Sequence, residues 1–474
     1  MDVSLFGREK IFVGYDEVND DNIVQVLTET YPRFMNNVNQ INFLFDYYRG
    51  VQPILGRTKN VRPEINNKIV ENHANSIVQF KTGYLLEKPI QFVARKETVD
   101  NESLITFNDY LEIESKESKD KRIAHDQAIC GTAYRLVIPN KEFDFRKYNG
   151  NQSPFIISTI NPKLAYVVYS TGLETKPLIG VVIYRRRIDN VDHVILQVYS
   201  KEKYWEFDYG ATAVIKNEVN NYGFIPLVEY PYNEERIGAF EVVIPLLDAI
   251  NNVQSNRLDG VEQFIQALLV FKNVDIKKKE LTELLELGAI KISDAGEIKA
   301  NVDYLTKELN QEQVQKLKDD LLNVVYNIVG MPSRSKNGSG DTGQAVIYRN
   351  GWEEAESKIQ DVELMFKESE KNFLKVALQI TNTLTYGKNK LKISDLEVKF
   401  TRKNYENQLQ KAQILDLMLN NGKIAPRLAF AECGLFSDPE GAYAESKAYY
   451  EEELKRLPKP SPTPNPKGGN PNEN

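Results

Sequence analysis

Apolar residues recur at intervals of three and four along several long segments of this chain, and such spacing predicts amphipathic helices. The earliest segment runs from Asp21 to Arg49, and its apolar stripe consists of Ile23, Leu27, Tyr31, Phe34 and Val38. Pro32 lies within this segment, and because proline removes a backbone donor we expect it to break or kink the helix. The same spacing predicts three more helices nearby, at Pro63–Leu85, Asn101–Tyr110 and Lys119–Cys130.

Between Ala133 and Glu229 the pattern changes to short runs of β-branched and aromatic residues, such as "YRLVIP", "LAYVVYS" and "HVILQVYS". Asn, Gly, Pro and Asp bound these runs. Such a pattern predicts an antiparallel β region, which we expect to pack on the flanking helices. Lys88–Arg95 and "ISDLEVKFTR" predict single strands elsewhere in the chain.

Long helical patterns return after Pro231. The first covers Phe240–Phe271, the second runs from Asn310 to Gly330, and the third covers Trp352–Tyr386. The face of the first helix opposite its apolar stripe is polar but largely uncharged, with Asn251, Asn252, Gln254, Ser255, Asn256, Gln263 and Gln266. By default such a face is exposed to bulk water, but it would suit the wall of an aqueous channel equally well.

A compact insert from Lys272 to Leu305 separates the first two long helices. It contains the basic run Lys277, Lys278 and Lys279, a short helical stretch and two strand-like stretches. Two later helices, at Asn407–Asn420 and Ala442–Arg456, precede a tail rich in Pro, Gly and Asn, which we expect to be disordered. Together the patterns predict an α+β fold that is mainly helical.

Composition narrows the function classes. The 474 residues are 41% hydrophobic and 27% charged, which is typical of globular domains, and the net charge of -7 disfavours a generic DNA binder. Cys130 and Cys433 are the two cysteines and form no framework, which fits a reducing cytoplasm. The first ten residues lack the pattern of a signal peptide, and the apolar runs are too short to span a membrane. We therefore expect a protein that is soluble when made.

The stretch "KNGSGDTGQAV" contains Gly338, Gly340 and Gly343 in the G-x-G-x-x-G spacing of a dinucleotide site. That site needs a preceding strand within a βαβ unit, whereas here a helix precedes and ends at Gly330. A flexible loop between two long helices is the better interpretation. Its cationic residues Arg334, Lys336 and Arg349 could touch phosphates transiently, with Asp341 between them.

The remaining candidates for chemistry are weak. "GVQPILGRT" has one spacer too many for a phosphate-binding P-loop and carries Arg57 in place of the lysine. His73, His125 and His193 lie in separate segments without metal-ligand spacing. No nucleophile motif stands out among the residues. The sequence thus predicts no catalytic residue, no metal site and no cofactor.

The order of the elements resembles the portal proteins of tailed double-stranded DNA bacteriophages, of the long-tailed type. "YGFIPLVEYPYNEERIGAFEVVIPLLDAI" is similar to the family's passage from wing to stem, and "IVGMPSRSKNGSGDTGQAVIYRNGWEEAE" to its passage from stem to tunnel loop. "HDQAICGTAYRLVI" and "NPKLAYVVY" resemble wing elements, and "KFTRKNYENQLQKAQILDLML" resembles the approach to the crown. The likeness covers nearly everything except the two termini.

This resemblance implies a β-rich wing region, long stem helices, a small α/β clip insert and a helical crown. The implied divisions are a flexible N-terminal arm at 1–21, a wing at 22–239, stem helices at 240–271 and 306–330, a clip at 272–305, a tunnel loop at 331–351, a long wing helix at 352–392, a crown at 393–457 and a disordered tail at 458–474.

The resemblance also implies a ring, expected to hold twelve subunits, at one capsid vertex of the virion, with assembly in the host cytoplasm. DNA would be packaged and ejected through its channel. The implied partners are double-stranded DNA in transit, the terminase large subunit, the major capsid and scaffold proteins, and the head-completion or adaptor proteins. The clip, with Lys277, Lys278 and Lys279, would be a docking site, and no membrane is implied.

Two further sets of residues follow from the same resemblance. The loop would contact DNA through Arg334, Lys336, Gly338, Gly340, Asp341, Gly343 and Arg349. The channel face of the stem would include Asn251, Asn252, Gln254, Asn256 and Gln263. An uncharged face suits sliding, because each phosphate that a protein neutralises adds affinity. A non-conducting structural adaptor or scaffold ring is the alternative, and a nucleotide-dependent enzyme is a more distant one.

Overall fold

The computed structural model describes residues 7–95, 99–148, 150–188, 190–220, 223–265, 268–272, 301–305, 311–332, 351–402, 408–436 and 439–456. These residues belong to two compact units. The first unit comprises residues 1–336 and 350–402, and the second comprises residues 337–349 and 403–474.

Helices make up most of the described regular structure. They are α1 (Ile23–Arg49), α2 (His73–Leu85), α3 (Asn101–Ile113), α4 (Lys116–Cys130), α5 (Ile244–Ile265), α6 (Gln311–Val329), α7 (Trp352–Leu384), α8 (Gln408–Leu419), α9 (Pro426–Glu432) and α10 (Pro439–Arg456). The last three belong to the second unit. Together with the strands they confirm the predicted α+β fold.

The strands are β1 (Ile11–Val13), β2 (Gln91–Ala94), β3 (Thr132–Pro139), β4 (Phe155–Ile160), β5 (Ala165–Ser170), β6 (Pro177–Ile188), β7 (Val191–Tyr199), β8 (Lys203–Asp208), β9 (Ala213–Val219), β10 (Leu227–Pro231), β11 (Leu268–Lys272), β12 (Asn301–Leu305) and β13 (Leu396–Lys399). Six of them form one sheet in the order β1-β5-β6-β7-β8-β9, and β10-β3-β4 form a second sheet. Two antiparallel pairs, β11 with β12 and β2 with β13, complete the described strands. The predicted antiparallel region between Ala133 and Glu229 is confirmed.

The six-stranded sheet packs on the first half of α1. Phe34 of α1 stacks on Tyr166 of β5 with ring centroids 4.6 Å apart, and both side chains are buried. Pro32 lies inside a continuous helix, so the predicted break is wrong. Burial of apolar residues on both sides of Pro32 stabilises the helix by more than the roughly 3 kcal/mol that an internal proline costs.

Residues 11–13, which we expected within a flexible arm, form an edge strand parallel to β5. Ile11 and Val13 are buried against α1, and this apolar pair explains why the segment is ordered. Strand β13 also pairs at long range, with β2, and residues 396–399 belong to the first unit.

A buried ion network joins α4, β3 and α7. Glu370 of α7 is 0% exposed and accepts from Arg135 at 2.8 Å and from the Tyr230 hydroxyl at 2.9 Å. Lys116 lies 2.9 Å from the same carboxylate, and Asp120 pairs with both Lys116 and Arg135. Burial alone would raise the pKa of Glu370, but the two cations hold it below its usual value.

The connection from β10 to α5 packs against the backbone of Gly131. A Cβ at Gly131 would lie 1.9 Å from the carbonyl oxygen of Arg236, and Gly131 has a φ of +80°. Arg236 itself has a φ of +57°, and its guanidinium pairs with Glu229 at 2.7 and 2.9 Å. Because Gly131 has no side chain, this connection can lie directly against the end of α4.

Candidate functional site

Two sets of residues that the sequence singled out lie outside the described residues. They are the loop set, Arg334, Lys336, Gly338, Gly340, Asp341, Gly343 and Arg349, and the basic run Lys277, Lys278 and Lys279. Their roles stay predictions. The polar face of α5 and the two flanks of the loop do lie within the described part of the chain.

The polar face of α5 binds the chain's own residues 51–72, which we call the strap. Asn251 is 1% exposed, accepts from the backbone N–H of Glu71 at 2.9 Å and donates to Gln52 at 2.5 Å. Four residues on, the Ser255 hydroxyl accepts from the backbone N–H of Ile69 at 2.9 Å. The helix repeat thus presents one strap contact per turn.

Asp259 continues this row one turn later. Its carboxylate accepts from the backbone N–H of Asn67 at 2.8 Å and from the Asn67 amide at 2.9 Å. Lys59 donates to the same carboxylate, and Arg57 lies 3.3 Å from it. Burial would raise the pKa of Asp259, but the hydrogen bonds from Lys59 and Asn67 lower it below the ordinary value.

Glu71, near the end of the strap, joins α5 to α6. Its carboxylate accepts from Lys318 of α6 at 2.7 Å and from Gln254 of α5, and it lies 2.9 Å from Nε2 of His73. Burial would raise the pKa of Glu71, yet the hydrogen bonds from Lys318 and His73 lower it. A single carboxylate therefore connects the strap, both long helices and the start of α2.

The five residues expected on a channel face have different surroundings. Asn251 is enclosed by the strap, Gln254 is half-buried against Glu71, and Asn256 is exposed but accepts from Arg57. Asn252 and Gln263 are exposed, and Asn252 donates to the backbone of its own helix at 3.0 Å. Fewer residues on the polar face of α5 are therefore open to solvent than the sequence indicates.

The predicted helix over Pro63–Leu85 is wrong in its first ten residues, because α2 begins at His73 and residues 63–72 belong to the strap. Backbone N–H groups that a helix would use internally bond to α5 instead. The available signal was the asparagine content of "PEINNKIVENH", since asparagine favours turns and caps over helix interiors.

Helices α5 and α6 lie antiparallel. Arg257 of α5 donates to Gln311 and Gln315 at the start of α6, both at 2.6 Å, and the end of α6 packs near the start of α5. The pair leaves apolar side chains exposed, namely Leu258, Val261, Leu317, Val324 and Ile328. A run of such residues on two neighbouring helices is unusual for a surface that meets only water.

The predicted end of the first long helix is wrong. α5 stops at Ile265, and Leu268–Lys272 forms a strand paired with Asn301–Leu305, with Leu268 opposite Leu305. The apolar spacing through "ALLVF" fits both a helix and a strand, so the pattern alone could not separate them. The strand pair therefore brings together the two ends of the expected clip, residues 272–305.

Lysines hold the helix end that precedes the loop. Lys358 of α7 donates to the carbonyls of Asn327 and Ile328 at 2.9 and 2.7 Å, and Lys81 lies 3.3 Å from the carbonyl of Gly330. Cations at a helix C-terminus complement its dipole. Burial, with the nearby Lys358 charge, lowers the pKa of Lys81 to about 8.

The flank that follows the loop is also anchored. Trp352, the first residue of α7, packs on Phe80 and Tyr84 of α2 with centroids 6.1 and 5.8 Å apart. One turn later, Glu356 accepts from the Tyr84 hydroxyl and from Arg402, both at 2.6 Å. The described residues on both flanks of the loop therefore contact α2.

The three histidines have ordinary partners: His73 with Glu71, His125 with the Tyr48 hydroxyl at 3.1 Å, and His193 with Asp208 at 2.6 Å. Within the described ranges, no group of three or more His, Cys, Asp and Glu side chains is placed to hold a metal ion. No helix in those ranges has the length and apolar character needed to cross a membrane.

Comparison with known proteins gives a consistent result. The family model described as "Phage portal protein, SPP1 Gp6-like" matches residues 31–459. The chain is 23% identical over 409 residues to the "Portal protein" of Bacillus phage SPP1, which covers 82% of this chain and 76% of that relative.

Among solved structures, a chain from "Virion of native gene transfer agent (GTA) particle" is similar with a TM-score of 0.43 and 9% identity. The likeness covers 76% of this chain and 89% of that chain.

Proposed function

The chain belongs to the SPP1 Gp6-like family of phage portal proteins, and from this premise we propose how its described residues serve a portal. A portal is a virion component that forms a ring at one capsid vertex, and its channel carries DNA during packaging and ejection. Family membership is the observation that carries this function. The assignments of particular residues below are proposals.

We place the stem in the antiparallel pair α5 and α6 and the tunnel loop in residues 331–351. The strap supports this assignment, because it holds α5 at Asn251, Ser255 and Asp259 and so fixes the direction in which the helix pair leaves the rest of the first unit. The clip would be residues 272–305, the wing 22–239 with 352–392, and the crown 393–457.

The exposed apolar residues of the helix pair are proposed to face neighbouring subunits. Leu317 and Val324 of α6 are 51% and 45% exposed, and burying the exposed remainder of each is worth about half of the roughly 1.5–3 kcal/mol that complete burial contributes. A closed ring repeats this contact in every subunit. We propose twelve subunits, as is usual for portals.

The channel lining is proposed to combine the open polar residues of α5 with the loop. Asn252 and Gln263 are exposed, uncharged and able to face hydrated DNA without binding it tightly. The lysines that hold the end of α6 and the aromatic contacts of Trp352 would keep the base of each loop fixed. The glycines Gly338, Gly340 and Gly343 would then allow the tip to adjust.

The proposed partners are the terminase large subunit and head-completion or adaptor proteins at the clip, with Lys277, Lys278 and Lys279 in the contact. The major capsid and scaffold proteins would surround the ring, which would assemble in the host cytoplasm. We propose that the chain is not an enzyme and needs no cofactor, since the energy for packaging would come from the terminase.

The mass of the purified protein in solution and negative-stain images test the ring. We expect a closed ring with a central hole wide enough for duplex DNA. A stable, closed small oligomer without a hole would contradict the portal function and favour a non-conducting adaptor.

DNA packaging tests the loop. The triple substitution Arg334→Ala, Lys336→Ala and Arg349→Ala should change packaging rate or DNA retention, whereas removal of three exposed charges elsewhere, Arg49→Ala, Arg122→Ala and Lys147→Ala, should not. Proline at Gly338, Gly340 and Gly343 should block translocation and leave the ring intact. Normal packaging by both loop variants would refute the loop's role.

A further inference from the structure

The β6–β7 hairpin extends beyond the six-stranded sheet. β5 pairs with β6 only as far as Val182, and β8 pairs with β7 only from Ile195 onward. In the described sheet, the far half of β6 therefore pairs with β7 alone, from Tyr184 opposite Ile195 to Ile188 opposite Val191. We call the paired residues Tyr184–Ile188 and Val191–Val194 the arginine ribbon.

Three consecutive arginines lie on this ribbon, Arg185, Arg186 and Arg187, and all are exposed. Alternation along the strand places Arg185 and Arg187 on one face and Arg186 on the other, which is the face of Tyr184. Arg185 and Arg187 form no ion pair with any described residue, although Asp192 lies opposite Arg187 across the ribbon. Two guanidinium groups are thus available to a partner.

Their spacing indicates the kind of partner. Residues two apart on a strand lie ~6.8 Å apart, a separation close to that of neighbouring phosphates on one DNA strand. Guanidinium groups bind phosphate oxygens in a bidentate geometry, and a two-stranded ribbon is narrow enough to follow a groove of duplex DNA. Duplex DNA is also the polyanion that a portal meets.

We propose, on the basis of the portal function and of the assignment of residues 22–239 to the wing, that the arginine ribbon binds the phosphate backbone of duplex DNA outside the channel. The binding is weak in each copy, because the three arginines are accompanied in sequence by Asp189 and Asp192, a net of 3 − 2 = +1 on a chain of -7. A ring repeats the ribbon in every subunit, so many weak contacts act together on one DNA molecule.

Covalently closed circular DNA tests this proposal, since it cannot thread a closed ring. Binding of the assembled ring to a closed circular duplex is measured across a salt series. We expect salt-dependent binding that weakens by about tenfold or more in Arg185→Ala/Arg187→Ala and survives largely in Arg185→Lys/Arg187→Lys. The plot of log K against log salt should flatten by about 0.9 for each lost phosphate contact.

Arg122→Ala/Lys147→Ala removes the same charge from exposed positions elsewhere and should bind as the unmodified ring does. No binding of closed circular DNA by the unmodified ring, or equal losses in the ribbon and control variants, would overturn the proposal. So would a ribbon variant that binds DNA normally but no longer joins a capsid, since the partner would then be an acidic protein. Linear duplex tests the channel separately.

Discussion

Replacing Asp259 with alanine removes the carboxylate that holds the middle of the strap on α5. Asn67 donates to it twice, at 2.8 and 2.9 Å, and Lys59 and Arg57 supply the cations. A hydrogen bond to a charged group contributes about 1.5–3 kcal/mol. Lys59 and Arg57 are 20% and 16% exposed and can return to water, so we expect a total loss of about 3 kcal/mol rather than the sum.

Such a loss would raise the equilibrium for local opening of the strap roughly 140-fold. Hydrogen exchange measures this directly, because the amides of Asn67, Ile69 and Glu71 each donate to a side chain of α5. Exchange at these amides should accelerate in Asp259→Ala, while α7 keeps its protection. Asp320→Ala, an exposed aspartate on α6, is the matched control and should change nothing.

Unchanged exchange at Asn67 in Asp259→Ala would refute the reasoning, because it would mean that the apolar contacts of the segment, rather than the row of polar contacts, hold the strap. Equal acceleration in the Asp320 control would refute it as well, since loss of any nearby negative charge would then suffice.

Three other outcomes follow from the described contacts. Gly131→Ala should destabilise the first unit strongly, because its Cβ would lie 1.9 Å from the Arg236 carbonyl. Gly150→Ala, also at positive φ but in open space, should lower the free energy of unfolding far less. Thermal unfolding of the two variants measures the difference, and equal Tm values would contradict the prediction. Glu370→Gln should lower Tm by at least ~5 °C, because breaking a buried ion pair costs about 3–5 kcal/mol; an unchanged Tm would contradict this. Because the folded pKa of Asp259 is lowered, its stabilisation of the strap should be complete above pH ~4 and decline as the pH falls through the folded pKa; exchange protection that stayed constant to pH 2 would contradict this.

Sequence patterns located the long amphipathic elements well. The apolar stripes along α6 and α7 are regular, and clear stop signals follow them. The helix ends predicted near Gly330 and Gly387 are confirmed. Tyr386, with a φ of +53°, and Gly387, whose N–H donates to the Asn382 carbonyl at 2.9 Å, close α7 near the predicted position. Local rules sufficed here because each helix depends on its own spacing and cap.

The failures share a cause, which is that distant residues decide the conformation. Residues 63–72 have acceptable helical spacing, yet their backbone donors bond to Asn251, Ser255 and Asp259 almost two hundred positions away. Leu268–Lys272 is a strand because Asn301–Leu305 lies beside it. The asparagines of the strap disfavour a helix there, but no local pattern identifies the distant partners of these segments, so neither the contacts of the strap with α5 nor the narrowed polar face could be predicted.

The strap also has a mechanical consequence. A helix that is held along one stripe only by smooth apolar packing can roll about its own axis with little resistance. α5 is instead held by directional hydrogen bonds at Asn251, Ser255 and Asp259, on three successive turns. Torque applied at the far end of α5 would therefore be transmitted to the body of the first unit instead of being dissipated as rotation of the helix.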